Sequence, residues 1–167
     1  MSRGFVKEGD QEEIPMVPPR AYLPDGAANY VTRTGMDQLL EERERLIDER
    51  NSLDISHENE YRISVNFINA KLQLLNKRIA EARIVNPEEQ PQNEIRFGAT
   101  VTLKNISAKK NQTFQIVGAD EADISKGKIS FISPVAKLLI NKRAGDKIVL
   151  KRNNGDIAYE ILDITYI

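Results

Sequence analysis

Between Tyr61 and Ala82 the apolar side chains fall at alternating steps of four and three: Tyr61, Val65, Ile68, Leu72, Leu75, Ile79 and Ala82. That rhythm keeps one stripe of a helix apolar over three heptads, a seam that is stable only against another helix. The partner lies just upstream. Met36, Leu39, Leu40, Leu46, Ile47 and Leu53 form a second stripe, with Asp, Glu and Arg on the remaining faces. Two seams a few polar residues apart predict an antiparallel helical hairpin, helix 36–53 against helix 57–85. Their net charges of −3 and +2 favour the pairing. Thr32 or Thr34 can supply the N-cap oxygen, and Asp37 places negative charge in the first turn, where the helix dipole favours it. The break runs from Asn51 to Asn59, with Asp54 to Glu58 as the tip, because Asn51, Ser52, Asp54 and Ser56 all bond nearby backbone amides readily. At 1.5 Å per residue the two helices would span about 27 Å and about 43 Å, a mismatch that leaves room for the first to continue beyond Leu53.

The flanks read differently. Four of the seven prolines (Pro15, Pro18, Pro19, Pro24) lie among Gly and acidic residues in the first 25 positions, so residues 1–30 are expected to form an extended arm, mobile on its own. Phe5, Tyr22 and Leu23 offer anchors to a partner. Residues 31–85 make the hairpin unit. Asn86–Asn93, with two prolines and no other apolar residue, is a linker. From Glu94 to Ile167 the pattern is strand-like: Ala99, Val101, Leu103; Phe114, Ile116; Ile129, Phe131; Ile148, Leu150; Ile157, Tyr159, Ile161. Turns are expected at Lys109–Gln112, Gly118–Asp123 and Asn153–Gly155. Ser133-Pro134 opens a short helix, Val135 to Ile140, with Ser133 as N-cap. The class is α+β: a helical hairpin followed by a small α+β domain.

Composition narrows the chemistry. With no Cys there are no disulfides, thiolate metal sites or cysteine nucleophiles, which suits a reducing, cytoplasmic setting. With His57 as the one histidine, a two-His zinc site or an HExxH helix is excluded, and any Ser-His-Asp triad would have to use His57. The N-terminus has no apolar core of the kind a signal peptide needs, and the longest nearly apolar run, Ile129 to Ile140, is too short and too interrupted for a membrane span. The total charge of −1 conceals +4 on residues 94–167, so the C-terminal domain offers a basic face for nucleic acid or for a heterogeneous partner surface, or simply a solvated one.

Several stretches together resemble a known family, the bacterial Gre transcript-cleavage factors (GreA/GreB). Tyr30-Val31-Thr32-Arg33-Thr34-Gly35, followed by Leu39 and Glu42, is similar to that family's entry into its first helix. Asp54-Ile55-Ser56-His57-Glu58-Asn59-Glu60-Tyr61 resembles its acidic tip. Phe97-Gly98-Ala99-Thr100-Val101, Gly118-Ala119-Asp120-Glu121-Ala122-Asp123, Ser133-Pro134-Val135-Ala136-Lys137, Gly145-Asp146-Lys147-Ile148-Val149 and Tyr159-Glu160-Ile161 match its C-terminal domain. The resemblance covers about residues 30–167 and leaves the arm as an addition. It implies a coiled-coil hairpin carried on an FKBP-like domain. It also implies a transcription elongation factor that is not itself an enzyme but enters the secondary channel of RNA polymerase and stimulates cleavage of backtracked RNA. The implied partners are RNA polymerase and the nascent RNA 3′ end, and the implied cofactor is a Mg²⁺ shared with the polymerase.

For that chemistry the tip must bring oxygen ligands to a metal, since hard cations prefer carboxylates. The resemblance makes Asp54 and Glu58 the metal-ligand candidates, with Glu60 at the third acidic position. The plainer readings are a turn-capping Asp54 and solvated first-turn acids at Glu58 and Glu60. Where the family pattern places its second carboxylate, three residues after the Asp, this chain has His57, and its first helix is short for the family. A second function is therefore open: a non-catalytic occupant of the same channel that regulates or inhibits transcription. A third is a prolyl isomerase or chaperone using the C-terminal domain, of which the isomerase would need an aromatic-lined cleft there.

Overall fold

The computed structural model describes residues 15–167, so Phe5 lies outside the described residues. The first helix, α1 (Arg33–Asn51), starts where Thr32 in extended backbone accepts a hydrogen bond from the Gly35 N–H; of the two threonines, the earlier is the cap. Asp37 consequently falls beyond the first turn. Nor does α1 continue past Leu53. The Ser52 hydroxyl donates to the Asp48 carbonyl at 2.8 Å and the Ser52 N–H reaches the same oxygen, so acceptors of the last turn are satisfied locally and the chain leaves the helix. The second helix, α2 (Glu58–Glu81), has 24 residues against 19.

Residues 82–84, expected as the last turn of that helix, are extended instead. They form β2 (Ala82–Ile84), paired in parallel with β1 (Asn29–Val31). Ala82 prolongs the heptad rhythm, but Ile84 and Val85 are β-branched, and β1 offers them a strand to pair with. Asn29 completes the exchange by donating from its side chain to the Arg78 carbonyl at 2.9 Å in the last turn of α2. The hairpin core is Val31, Leu39, Leu46, Ile68, Leu72 and Leu75, with Leu75 fully buried. Toward the tip the seam opens: Leu53, Tyr61 and Val65 are half-buried, and Ile55 and Ile63 are exposed.

The C-terminal unit is a five-stranded mixed sheet of β3 (Thr100–Asn105), β4 (Lys110–Val117), β5 (Lys128–Ser130), β6 (Lys147–Leu150) and β7 (Ile157–Thr165), in the order β5-β4-β3-β7-β6. All pairs are antiparallel except β4 with β5. The short helix α3 (Pro134–Leu139) links β5 to β6, its start capped by the Ser133 hydroxyl, and buries Ala136 and Leu139. Both lie in one core with Ile95, Ala99, Val101, Leu103, Ile116 and Ile161. This is the α+β class read from the sequence. One turn differs. The chain reverses at residues 106–109, where Asn105 Oδ1 accepts from the Ala108 N–H at 3.1 Å and Lys109 takes a left-handed φ of 53°, so Lys110–Gln112 already belong to β4. On β7 an extra residue, Leu162, bulges where Thr102 pairs Asp163 but Leu103 pairs Ile161. The bulge shifts the alternation, so Ile164 rather than Asp163 returns to the core.

The two units meet along the stretches that carry the resemblance. The Tyr30 ring packs on Phe97 and Phe131 with centroids 5.9 and 5.6 Å away. The Thr32 hydroxyl donates to the buried carboxylate of Glu121, which also accepts from Lys128 Nζ at 3.0 Å. Contact here is close at two glycines, against backbone at Gly118 and against the end of a side chain at Gly35. A Cβ at Gly118 would sit 2.6 Å from the Tyr30 carbonyl oxygen, and one at Gly35 would sit 2.7 Å from Glu121 Oε1. Tyr30–Gly35 and Gly118–Asp123 are therefore two halves of one joint.

Candidate functional site

The hairpin ends in an exposed turn between Ser52 and His57 that carries the residues singled out by sequence. Asp54 Oδ1 accepts the Ser56 N–H at 2.8 Å, closing an Asx turn that fixes the carboxylate at the apex. Ser56, through its hydroxyl first and its backbone amide second, holds the Asp54 carboxyl below the usual carboxylate range. His57 occupies the N-cap position of α2 but makes no side-chain cap bond. Glu58 and Glu60 lie in the first turn of α2, exposed and favourably placed at the positive end of the helix dipole.

The fold thus brings Asp54, Glu58 and Glu60 to one end of one hairpin, opposite the sheet unit. Among the described residues no group of three or more His, Asp or Glu side chains is arranged to hold a metal ion. What the tip presents is exposed carboxylate oxygens in small number. That set suits completing the shell of an ion bound mainly elsewhere rather than holding one alone.

A second cluster escaped sequence reasoning. Arg20, in the stretch expected to be an arm, reaches Glu42 on α1 with both terminal nitrogens at 2.8 and 2.9 Å, and Asp120 of the sheet unit through Nε at 3.0 Å. Arg78 of α2 lies 3.7 Å from the other Asp120 oxygen and donates to the Ala21 carbonyl. The paired Arg20 holds the Glu42 carboxyl below its ordinary range, and Glu42 raises Arg20 in turn. One signal was available in the sequence: Arg20 is the sole basic residue between Lys7 and Arg33.

A third feature is electrostatic. The β3–β4 and β6–β7 turns lie at the same end of the sheet, because Asn105 pairs with both Lys110 and Tyr159 while Leu150 pairs with Ile157. They carry Lys109, Lys110, Lys151 and Arg152, all exposed, against the single acid Asp156. Gly118 and the joint with the hairpin follow the other end of β4.

The description "Transcription elongation factor, GreA/GreB, C-term" matches residues 90–166. The transcription elongation factor GreA of Thermodesulfovibrio yellowstonii is 35% identical over 151 residues, which span 81% of this chain and 96% of that protein. The chain belongs to the GreA/GreB family of transcription elongation factors. Other GreA/GreB relatives bracket the similarity: GreA of Pelobacter propionicus is 36% identical over 81% of this chain and 96% of its own length, and GreA of Helicobacter pylori is 42% identical over 60% and 61%. Among solved structures, GreA/GreB from Nitrosomonas europaea aligns with a TM-score of 0.42 at 22% identity, covering 82% of this chain and 98% of that one. The match to the GreA relatives extends upstream of residues 90–166, since 81% coverage exceeds what that stretch alone supplies.

Proposed function

We propose that the chain is an accessory factor of RNA polymerase that inserts its helical hairpin into the secondary channel and stimulates the polymerase's own cleavage of backtracked RNA. One observation carries the reading. In a GreA/GreB-family chain, a hairpin whose longer leg is about 36 Å at 1.5 Å per residue ends in exposed Asp54, Glu58 and Glu60. Asp54 and Glu58 are the oxygen donors toward a Mg²⁺ shared with the polymerase, and Glu60 adds negative charge two residues further on, in the same first turn of α2. A divalent cation in such a place stabilises charge on attacking and leaving oxygens. The protein's part is to deliver the carboxylates: the Asx turn orients Asp54.

The test is transcript cleavage in stalled, backtracked elongation complexes. Asp54→Asn keeps the shape and the turn-forming ability of the side chain, so co-sedimentation with polymerase should persist while stimulated cleavage is lost. Equal cleavage by both proteins refutes the role of Asp54. His57, unbonded where the family pattern has an acid, favours the alternative of a channel occupant without cleavage activity. Wild type that binds but never accelerates cleavage, with activity gained in His57→Glu, is the outcome that selects it.

The basic end of the sheet is proposed to touch nucleic acid. Its turns are rich in Lys, Arg and Asn and lack aromatics, a composition suited to phosphate contacts rather than to base stacking or a protein hot spot. Reversing Lys109 and Lys151 to Glu should abolish salt-dependent retention of duplex DNA; retention unchanged at low salt rules the contact out. For the prolyl-isomerase alternative, Tyr30 already packs against Phe97 and Phe131, the aromatics an open cleft would need.

A further inference from the structure

The Arg20 cluster lies outside the tip and outside the basic face, and Arg20 itself precedes the stretches that resemble the family, although its partners Glu42 and Asp120 fall within them. We infer that residues 15–28 are a strap, and that Arg20 is a positioning residue that sets the angle of the hairpin on the sheet unit. The guanidinium bonds a carboxylate of each body at once. Its terminal nitrogens grip Glu42 of α1 in a two-point fork, and its Nε holds Asp120 in the loop after β4. The Arg20 and Asp120 side chains are 18% and 8% exposed, so solvent screens the pair weakly. A lysine could not replace it, because a point charge lacks the planar fork needed for two carboxylates on different elements.

The second leg is tied in as well. Arg78 of α2 approaches the remaining Asp120 oxygen and donates to the carbonyl of Ala21, the residue following Arg20. The strap therefore touches both helices and the sheet unit, across the outside of the joint formed by Tyr30, Gly35, Gly118 and Glu121. Angular control at the base is amplified at the tip. Over a leg of about 36 Å, a pivot of about 10° moves the apex by about 6 Å, more than the tolerance of any metal-ligand contact.

The absence of cysteine makes the angle directly measurable. Cysteines placed at exposed Ser56 in the tip and exposed Asn154 in the distal turn of the sheet unit carry spin labels, and the distance distribution between them reports the hairpin's orientation. In the otherwise natural full-length chain the distribution should be narrow. Arg20→Met, which keeps the stem and removes the fork, should broaden it or shift its mean by several ångströms, and Arg20→Lys should recover it only in part. Glu42→Gln, which removes the charge and one of the two acceptors on α1 while leaving the Asp120 contact, should have a smaller effect in the same direction. Circular dichroism checks that the variants are folded; should Arg20→Met unfold, Glu42→Gln decides. Distributions that stay as narrow as the parent's in both variants overturn the inference.

The consequence for activity rests on the function proposed above. A hairpin that wanders spends less time in the docking-competent orientation, so the concentration of Arg20→Met giving half-maximal cleavage should rise several-fold while the plateau rate is retained. Loss at the tip behaves oppositely, with Asp54→Asn lowering the plateau. A several-fold fall in plateau with an unchanged half-maximal concentration would refute positioning. If wild type stimulates no cleavage, the proposed function fails, yet the distance measurement still decides whether the strap sets the angle.

Discussion

Replacing Gly118 by alanine puts a methyl group 2.6 Å from the Tyr30 carbonyl oxygen. The φ of Gly118 is not in the left-handed region, so the alanine backbone is unstrained and the collision is the whole cost. Relief to an ordinary contact of about 3.4 Å requires β1 to retreat by about 0.8 Å, a shift of the size that overpacked interiors resist. That retreat has nowhere easy to go. Val31, the next residue, is buried in the hairpin core, its carbonyl accepts the Val85 N–H at 3.0 Å, and the Tyr30 ring is wedged between Phe97 and Phe131. Overpacking of this kind costs about 1–3 kcal/mol. At about 2 kcal/mol the docked state loses about 30-fold in population relative to the open one. For a chain of this size each kcal/mol moves the melting temperature by about 2–4 °C, so calorimetry should show a fall of about 4–8 °C. Amide exchange locates the damage: the Val85 N–H should lose protection, while Leu103 and Ile116, deep in the sheet core, should keep theirs. A melting temperature within 1 °C or so of the parent, with Val85 protection intact, would refute the claim that the joint is sterically closed.

Two further outcomes follow from the same geometry. Leu75→Ala removes the most deeply buried side chain of the hairpin seam and should cost about 2–5 kcal/mol in urea unfolding; a loss under about 1 kcal/mol would mean that the seam does not hold the helices together. Glu42 has a folded-state pKa lowered chiefly by its hydrogen bonds with Arg20, so its contribution is complete above the ordinary Glu value of about 4.3 and disappears as pH falls through the depressed folded value. The gap in melting temperature between wild type and Glu42→Gln should therefore be constant near neutrality and close on acidification below about pH 4, whereas a gap that widens on acidification contradicts the assignment.

The hairpin was legible because a heptad seam is a local, repetitive signal, and Ile68, Leu72 and Leu75 are buried as the spacing requires. The tip was legible for the same reason, since Asp54, Ser56 and Glu58 lie within a few residues of one another. What escaped depends on distant partners. Ala82 continues the helical rhythm, and only the presence of β1 some fifty positions upstream turns residues 82–84 into a strand. Asn105 and Lys109 moved a turn by three residues through a side-chain bond that composition alone does not rank. Arg20 was read as part of a polar, proline-rich arm because its partners lie 22 and 100 residues further on, and no window along the sequence contains both. The stretches used to recognise the family proved to be joint residues: Tyr30, Gly35, Gly118 and Glu121 are constrained by fit between units rather than by chemistry.

That separation along the chain imposes an order on assembly. The strap is the first described segment to leave the ribosome, yet Asp120 is made 100 residues after Arg20. At bacterial or slower synthesis rates of about 5–20 residues per second, Arg20 waits about 5–20 s for its second carboxylate. Glu42 emerges early and α2 soon after, so the hairpin closes its seam, and β1 finds β2, while the joint still has only one face. Translation thus produces a finished lever before it produces the seat, and the earliest described segment is among the last to come to rest.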